Sequence, residues 1–157
     1  MLTQKEISYK YLLTLLDYRD GQLFWKAGGA RAGYTVKGYR EIYFAQQLYV
    51  EHHLIFLLFH GRMPLEVDHI NLIRDDNRIE NLRECTRAQN GYNNSSRSHN
   101  KTGVKGVFKD KQSGKFKSAI IVDGRKIHVG YFDNIEAAQV AITIARAKHH
   151  GEFARHA

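Results

Sequence analysis

Four polar residues in the middle of the chain have types and spacing that could do chemistry. Asp68 and His69 are adjacent, Asn81 lies 12 positions after His69, and Asn90 lies 9 positions after Asn81. Carboxylate and amide oxygens are ligands that a hard divalent cation such as Mg²⁺ accepts. A neutral imidazole can take a proton from water near pH 7. The combination indicates a metal-assisted reaction of water.

The stretch LEVDHI is predicted as a short strand that ends at the Asp-His pair. Neighbouring residues in a strand point to opposite faces, so we expect Asp68 to face a metal and His69 to face a water molecule. Asn90 would supply a second metal ligand from RAQNGYNN, which is predicted to start a helix. Asp and Asn are also common in loops, because they hydrogen-bond their own backbone. Three residues are interpreted as turn residues of this kind: Asp75, Asp76 and Asn77.

The elements that must position these residues follow from the hydrophobic pattern. A helix is predicted near residues 3–17, with Thr3 and Glu6 in capping-box spacing. The apolar run HHLIFLLFHG predicts a buried helix closed by Gly61. Three further segments have strand character: QLFWK, YREIYF and QLYVE. The large aromatic residues assigned to core packing are Trp25, Phe56 and Phe59.

The positive charge is concentrated toward the carboxyl end of the chain. Residues 1–94 contain 12 Lys and Arg against 11 Asp and Glu, whereas residues 95–157 contain 12 against 5. The stretch NGYNNSSRSHNKTG is poor in apolar residues and reads as a linker, so we place a domain boundary near residue 97. A basic excess suits an acidic partner such as nucleic acid, although ribosome-bound or simply basic proteins share it.

Composition excludes several classes of protein. One cysteine, Cys85, excludes an internal disulfide and a zinc site built from several thiolates. No run of roughly 20 apolar residues and no basic-then-apolar leader is visible, so we expect neither a membrane span nor a secretion signal. A chain of 157 residues can form one ordinary domain or two small ones, and we expect it in the cytoplasm.

The basic segment predicts a small sheet followed by a helix. Its strands are expected near residues 105–109, 115–122 and 125–131. Turns at Ser113-Gly114 and Asp123-Gly124 separate them. The helix has Asp133 and Glu136 in capping-box spacing and Gly151 as its stop. One helix covers only one face of such a sheet, and a basic open face can lie in the DNA major groove.

The stretch VDHINLIRDDNRIENLRECTRAQN, with the preceding EHHLIFLLFHGRMP, resembles the HNH endonucleases, in particular the phage and intron-associated homing type. The resemblance implies a ββα-metal core, about residues 50–96, in which a strand, a loop with a second strand and a helix pinch one metal ion. The roles that it implies are the general base His69, the metal ligands Asp68 and Asn90, the loop brace Asn81 and the phosphate contact Arg87.

The chain departs from that family pattern at a few positions. Asn90 stands where the family name calls for His, a change that homing-type members often show. Leu72 occupies a loop position that often carries Gly. His52 matches the His of the lead-in, and His53 falls where Arg is frequent. His52 is interpreted either as a packing residue or as support for the site.

The segments GVKGV, GKFKSAI, GRKIHVGYFD, EAA and GEFA, within about residues 103–154, resemble the plant APETALA-type (ethylene-response-factor-like) DNA-binding domain, which also occurs in phage HNH endonucleases. Ile121 and His128 stand at places where the plant domain has other DNA-contacting residues, so its sequence preference is not carried over. The DNA contacts expected from this resemblance and from the strand pattern are Lys105, Lys109, Lys117, Lys126 and His128.

The sequence thus predicts an α+β protein, with an N-terminal ββα-metal HNH nuclease domain at residues 1–96 and an APETALA-type domain at residues 97–157, a small three-stranded antiparallel sheet plus one helix. The expected activity is hydrolysis of phosphodiester bonds in double-stranded DNA with one divalent ion, Mg²⁺ or a substituting Mn²⁺, and no small-molecule cofactor. A monomer would nick, and a homodimer could cut both strands. A non-catalytic sequence-specific DNA-binding regulator and a structural RNA-binding protein stay open as alternatives.

Overall fold

The structure is a computed structural model that describes residues 4–93 and 100–154. The chain divides into two compact units, Met1–Cys85 and Thr86–Ala157. The predicted boundary near residue 97 and the predicted helix cap at Thr3 lie outside the described residues. Among the residues that are described, no helix is both long enough and apolar enough to cross a membrane.

The first unit combines helices with short antiparallel strands. Its elements are α1 (Gln4–Thr14), β1 (Leu16–Arg19), β2 (Gln22–Trp25), β3 (Tyr34–Val36), β4 (Tyr39–Phe44), β5 (Gln47–Val50), α2 (Glu51–His60), β6 (Glu66–His69) and β7 (Leu82–Cys85). Strands β1 and β2 pair, β3, β4 and β5 form a sheet in that order, and β6 pairs with β7. The strands predicted at QLFWK, YREIYF and QLYVE are confirmed, as is the helix α2.

The first helix is shorter than predicted, because its last residues belong to a hairpin. α1 ends at Thr14, and β1 pairs with β2 through the tight turn Asp20-Gly21. Both turn residues have positive φ, 44° and 79°, as a two-residue turn matched to strand twist requires. Pairing with β2 therefore outweighs the helical pattern of the leucines at this point.

Helix α2 crosses the core of the first unit. Leu54 and Ile55 are fully buried, and Gly61 ends the helix at φ 70° with its N–H bonded to the Leu57 carbonyl at 2.8 Å. Phe56 is buried and Trp25 packs against the same core, as predicted. Phe59 is 48% exposed, so its assignment to the core is wrong. The reason is that the last turn of α2 runs past the core into solvent.

The second unit has the sheet and helix expected from the sequence. Its elements are α3 (Arg87–Asn93), β8 (Val107–Lys109), β9 (Phe116–Val122), β10 (Arg125–Phe132) and α4 (Ile135–His150). The three strands are antiparallel in the order β10-β9-β8, and α4 packs on one face of them. The helix cap is Asn134, which accepts from the Ala137 N–H at 2.8 Å. The predicted cap, Asp133, pairs instead with Lys115 at 2.9 Å.

Candidate active site

The hairpin β6–β7 places Asp68 and His69 at the end where residues 70–81 join its two strands. Asp68 lies opposite Arg83 and His69 lies opposite Leu82 in the antiparallel register. Both site residues are only 6% exposed. The two side chains make different contacts, as the alternation of strand faces requires.

Asp68 is bound by the residue directly across the hairpin. Arg83 donates to Oδ2 of Asp68 from Nε at 3.0 Å and from Nη2 at 2.7 Å. Charge-assisted bonds of this kind are stronger than neutral ones. The sequence motif alone does not point to Arg83; the signal for it is the pair of opposite charges at facing positions of two paired strands.

His69 is held by a chain of buried polar side chains. Its Nε2 lies 2.8 Å from Oδ1 of Asn77, and Nδ2 of Asn77 donates to Oε2 of Glu51 at 2.9 Å. A carboxylate only accepts hydrogen bonds, so the amide must turn its nitrogen to Glu51 and its oxygen to His69. The Nε2 of His69 therefore carries the proton and donates it, and the lone pair of the neutral ring lies on Nδ1.

Asn77 is not the turn residue that the sequence suggested. It is 1% exposed and joins the loop after β6 to the first residue of α2. The sequence does not reveal this role, because Asn is common in turns, where its side chain bonds its own backbone. Asp76 stays within loop chemistry: it accepts from Asn71 and Arg78, and the bond from Arg78 holds the pKa of its carboxyl well below the usual range.

Asn81 ties the same loop at a second point. Its Oδ1 accepts from the backbone N–H of Asn71 at 3.0 Å, and its Nδ2 donates to the Asp76 carbonyl at 2.7 Å. Leu72, where related loops often carry Gly, has φ 68°. A left-handed backbone is therefore required at that position, and Leu adopts it at some cost.

The ring of His52 packs beside that of the candidate base, His69. Its ring centre lies 4.9 Å from that of His69 in an edge-to-face arrangement. Burial, with smaller contributions from His53 and His69, lowers the pKa of His52 from 6.5 to about 2. Its Nδ1 is buried and has no hydrogen-bond partner among the described residues. A neutral packing residue next to His69 accounts for these observations.

Asn90 and Arg87 lie on α3, in the second unit. A capping box begins this helix: Gln89 N–H donates to Oγ1 of Thr86, and Oε1 of Gln89 accepts from Thr86 N–H at 2.7 Å. The side chain of Arg87 is exposed and that of Asn90 is half-buried. Both therefore stand on a helix with a well-defined start.

Tyr92 attaches α3 to the rest of its own unit. Its ring stacks on His150 with centres 3.9 Å apart, and its hydroxyl donates to Oδ1 of Asp123 at 3.1 Å and accepts from the Asp123 N–H at 2.8 Å. Burial lowers the pKa of His150, whose Nε2–H donates to the Ile121 carbonyl at 2.9 Å. The stack on Tyr92 and the bond to Ile121 together fix the orientation of this ring.

The face of the β8–β10 sheet away from α4 mixes aromatic and basic residues. Phe108, Lys117 and Tyr131 lie across from one another on the three strands. Lys117 Nζ is 5.4 Å from the centre of the Tyr131 ring. Lys126 and His128 are exposed on the same face of β10. Three of the predicted DNA contacts thus share one surface.

Two lysines predicted for that surface lie elsewhere. Lys109 pairs with Phe116 and its Nζ is 4.3 Å from the centre of that ring, on the side that α4 covers. The strand begins at Val107, so alternation puts 107 and 109 together on the core side. Lys105 precedes the strand, and its Nζ donates to the Tyr92 carbonyl at 2.7 Å. This bond connects the segment before β8 to α3.

Comparison with known proteins identifies the central segment. Residues 49–92 match the family model for an HNH endonuclease. This range runs from β5 to α3 and contains Asp68, His69, Asn81 and Asn90. No curated relative and no solved structure matches the chain. The match supports an HNH nuclease, a class of DNA-cleaving hydrolases that generally use a divalent metal ion.

Proposed function

We propose that this protein is a metal-dependent endonuclease of the homing type that hydrolyses phosphodiester bonds in double-stranded DNA, with His69 as the general base. The observation that carries the proposal is the bond from His69 Nε2 to Asn77, which fixes the proton on Nε2 and so places the lone pair on Nδ1 whenever the ring is neutral. Such a nitrogen can accept a proton from water as the water attacks phosphorus.

Asp68 and Asn90 are the proposed metal ligands. Within residues 4–93 and 100–154, no group of three His, Cys, Asp or Glu side chains is arranged to hold a metal. One carboxylate, with Oδ2 already bound by Arg83, and one amide oxygen suit a hard cation that keeps several of its waters, as Mg²⁺ does. When bound, the ion would neutralise charge on the phosphate and on the leaving 3′ oxygen.

The remaining residues of this site would position the reactants. His69 takes the proton from the attacking water, and Asn81 keeps the loop beside it in one conformation. Arg87 carries a charge that can stabilise a phosphate. The Asp68–Arg83 pair is the observation that favours the alternative, a non-catalytic DNA-binding regulator, because the guanidinium already offsets the charge that a metal would use.

The second unit would bring DNA to the nuclease, as an APETALA-type domain. Lys117, Lys126 and His128 would contact phosphates, and the aromatic residues among them would pack against the groove. The two lysines would each neutralise one phosphate, which implies a log-log salt dependence of affinity with a slope of about −2. Double-stranded DNA should be preferred over RNA, because the deep, narrow major groove of RNA does not admit a β-ribbon.

Cleavage of supercoiled plasmid with Mg²⁺, with Mn²⁺ and with EDTA tests the proposal. We expect activity with either metal and none with EDTA; nicked product indicates a monomer and linear product a dimer. His69→Ala should lower the cleavage rate by roughly 10²- to 10⁴-fold, the usual contribution of a general base, and leave DNA affinity unchanged. Undiminished cleavage by His69→Ala would exclude His69 as the base.

A further inference from the structure

We propose that Glu51 is a positioning residue for the hydrolysis, acting through Asn77 to decide which ring nitrogen of His69 carries the proton. The inference rests on the proposed role of His69 as base. Glu51 is the first residue of α2 and lies 18 positions before His69 in the sequence. The three side chains form one hydrogen-bonded line within the first unit.

The carboxylate of Glu51 is placed where its charge is costly. Its side chain is 0% exposed, and a buried charge must be compensated by hydrogen bonds or a partner. Oε1 accepts from the Leu23 N–H at 2.8 Å, and Oε2 accepts from Asn77 at 2.9 Å with Arg31 3.5 Å away. Both oxygens of Glu51 are thus used as acceptors.

The acceptor oxygens of Glu51 determine which atom donates and which accepts in each hydrogen bond from Glu51 through Asn77 to His69. Because Oε2 only accepts, Asn77 presents its nitrogen to Glu51 and its oxygen to His69. A group at position 51 that donated instead would turn the Asn77 amide over. Its nitrogen would then face Nε2 of His69, the ring proton would move to Nδ1, and the nitrogen proposed to take a proton from water would already carry one.

The substitution Glu51→Gln tests this effect, because it keeps the shape of the side chain and replaces an acceptor oxygen by a donor, although it also removes the charge that faces Arg31. The new amide oxygen is expected to keep the bond from the Leu23 N–H, so the new amide nitrogen faces Asn77. We expect kcat for plasmid nicking to fall roughly 10²-fold or more, with KM and DNA affinity unchanged. Glu84→Gln is the matched control: it removes an ion pair with Arg62 from the β6–β7 hairpin and should leave kcat unchanged.

A second substitution is designed to restore an acceptor facing Nε2 of His69. In Glu51→Gln/Asn77→Asp, the amide nitrogen introduced at 51 donates to the carboxylate introduced at 77, which then accepts from His69 Nε2–H. We expect kcat of the double variant to exceed that of either single variant by at least about tenfold, since Asn77→Asp alone sets two carboxylates against each other. No rescue, together with an equal loss in all three variants, would show that the residues serve only the fold.

The ¹⁵N chemical shifts of the His69 ring test the same inference without any cleavage. In the metal-free protein, at a pH where the ring is neutral, we expect the proton on Nε2 in the wild type and on Nδ1 in Glu51→Gln. An unchanged tautomer with wild-type kcat would overturn the inference. If the wild type cleaves no DNA, the proposed function fails, and the ring shifts still decide whether Glu51 sets the tautomer.

Discussion

The residues of the candidate site are held in two contrasting ways. Asp68 and His69 are almost wholly buried, and each is fixed by a side chain that the first unit itself supplies, Arg83 and Asn77. Asn90 and Arg87 stand on a short helix with partly open side chains, attached to the second unit through Tyr92. The two groups belong to different compact units.

The difference follows from what each group would have to do. A base must present one nitrogen in one protonation state, and buried hydrogen bonds in a low-dielectric environment impose that strongly. A residue that meets a hydrated ion or a phosphate works at the surface and needs only a stable helix beneath it. We therefore expect changes in the first unit to cost stability and chemistry together, and changes around α3 to cost mainly chemistry.

The largest effect is expected from breaking the Asp68–Arg83 pair. Arg83→Met leaves a buried carboxylate without its partner, which typically costs about 3–5 kcal/mol of unfolding free energy. Urea unfolding of the variant and the wild type measures this. Arg62→Met, which breaks the exposed pair with Glu84 on the same hairpin, is the control and should cost much less. Equal losses would mean that burial does not distinguish the two pairs.

Acid should destabilise the first unit through His52. Its pKa is about 2 when folded and about 6.5 when unfolded, so the unfolded chain binds the extra proton between these values. Above pH 6.5, His52 is neutral in both states and costs no unfolding free energy. As the pH drops below 6.5, the free energy of unfolding falls by up to about 1.4 kcal/mol per pH unit. Thermal unfolding of the wild type and His52→Phe from pH 7 to about 5 measures the slope, which the substitution should reduce.

Loosening α3 should give a smaller change in stability and a larger one in activity. Tyr92→Phe keeps the stack on His150 but removes both hydrogen bonds to Asp123, at a cost of about 1–2 kcal/mol. We expect plasmid cleavage to fall several-fold while DNA affinity stays unchanged. A parallel loss of affinity would mean that Tyr92 supports the proposed DNA-binding face itself. Tyr43→Phe, at an exposed ring of β4, controls for loss of a phenol.

The smallest expected effect is a slight gain in the free energy of unfolding. Leu72 holds a left-handed backbone at φ 68° in the loop that Asn81 ties, and Leu72→Gly removes a penalty of about 1 kcal/mol. The gain is partly offset because Gly is more flexible when unfolded. Chemical unfolding should show a slight rise in stability with no change in cleavage. A marked loss of cleavage would show that the apolar side chain itself takes part at the site.

Much of this arrangement could be read from local patterns, and the rest depends on packing. The spacing of Asp68, His69 and Asn81 is visible in the sequence, and strand-forming segments between turns locate β4, β5 and β9. The hydrogen bond from Asn77 to Glu51 cannot be read from the sequence, because it joins residues 26 positions apart through the packing of α2 on a loop. The strand that contains Lys109 shows the other limit: alternation puts Lys109 on the same face as Val107, and only the packing of α4 shows that this face is the core.

The attachment of α3 has a consequence for exchanging the second unit between related proteins. A junction at the Asn- and Ser-rich stretch near residue 97 would look natural from composition. It would leave Tyr92 on one parent and its partners His150, Asp123 and Lys105 on the other. The transferable block therefore begins at Thr86, where the capping box starts, and an exchange of the second unit would carry Arg87 and Asn90 with it.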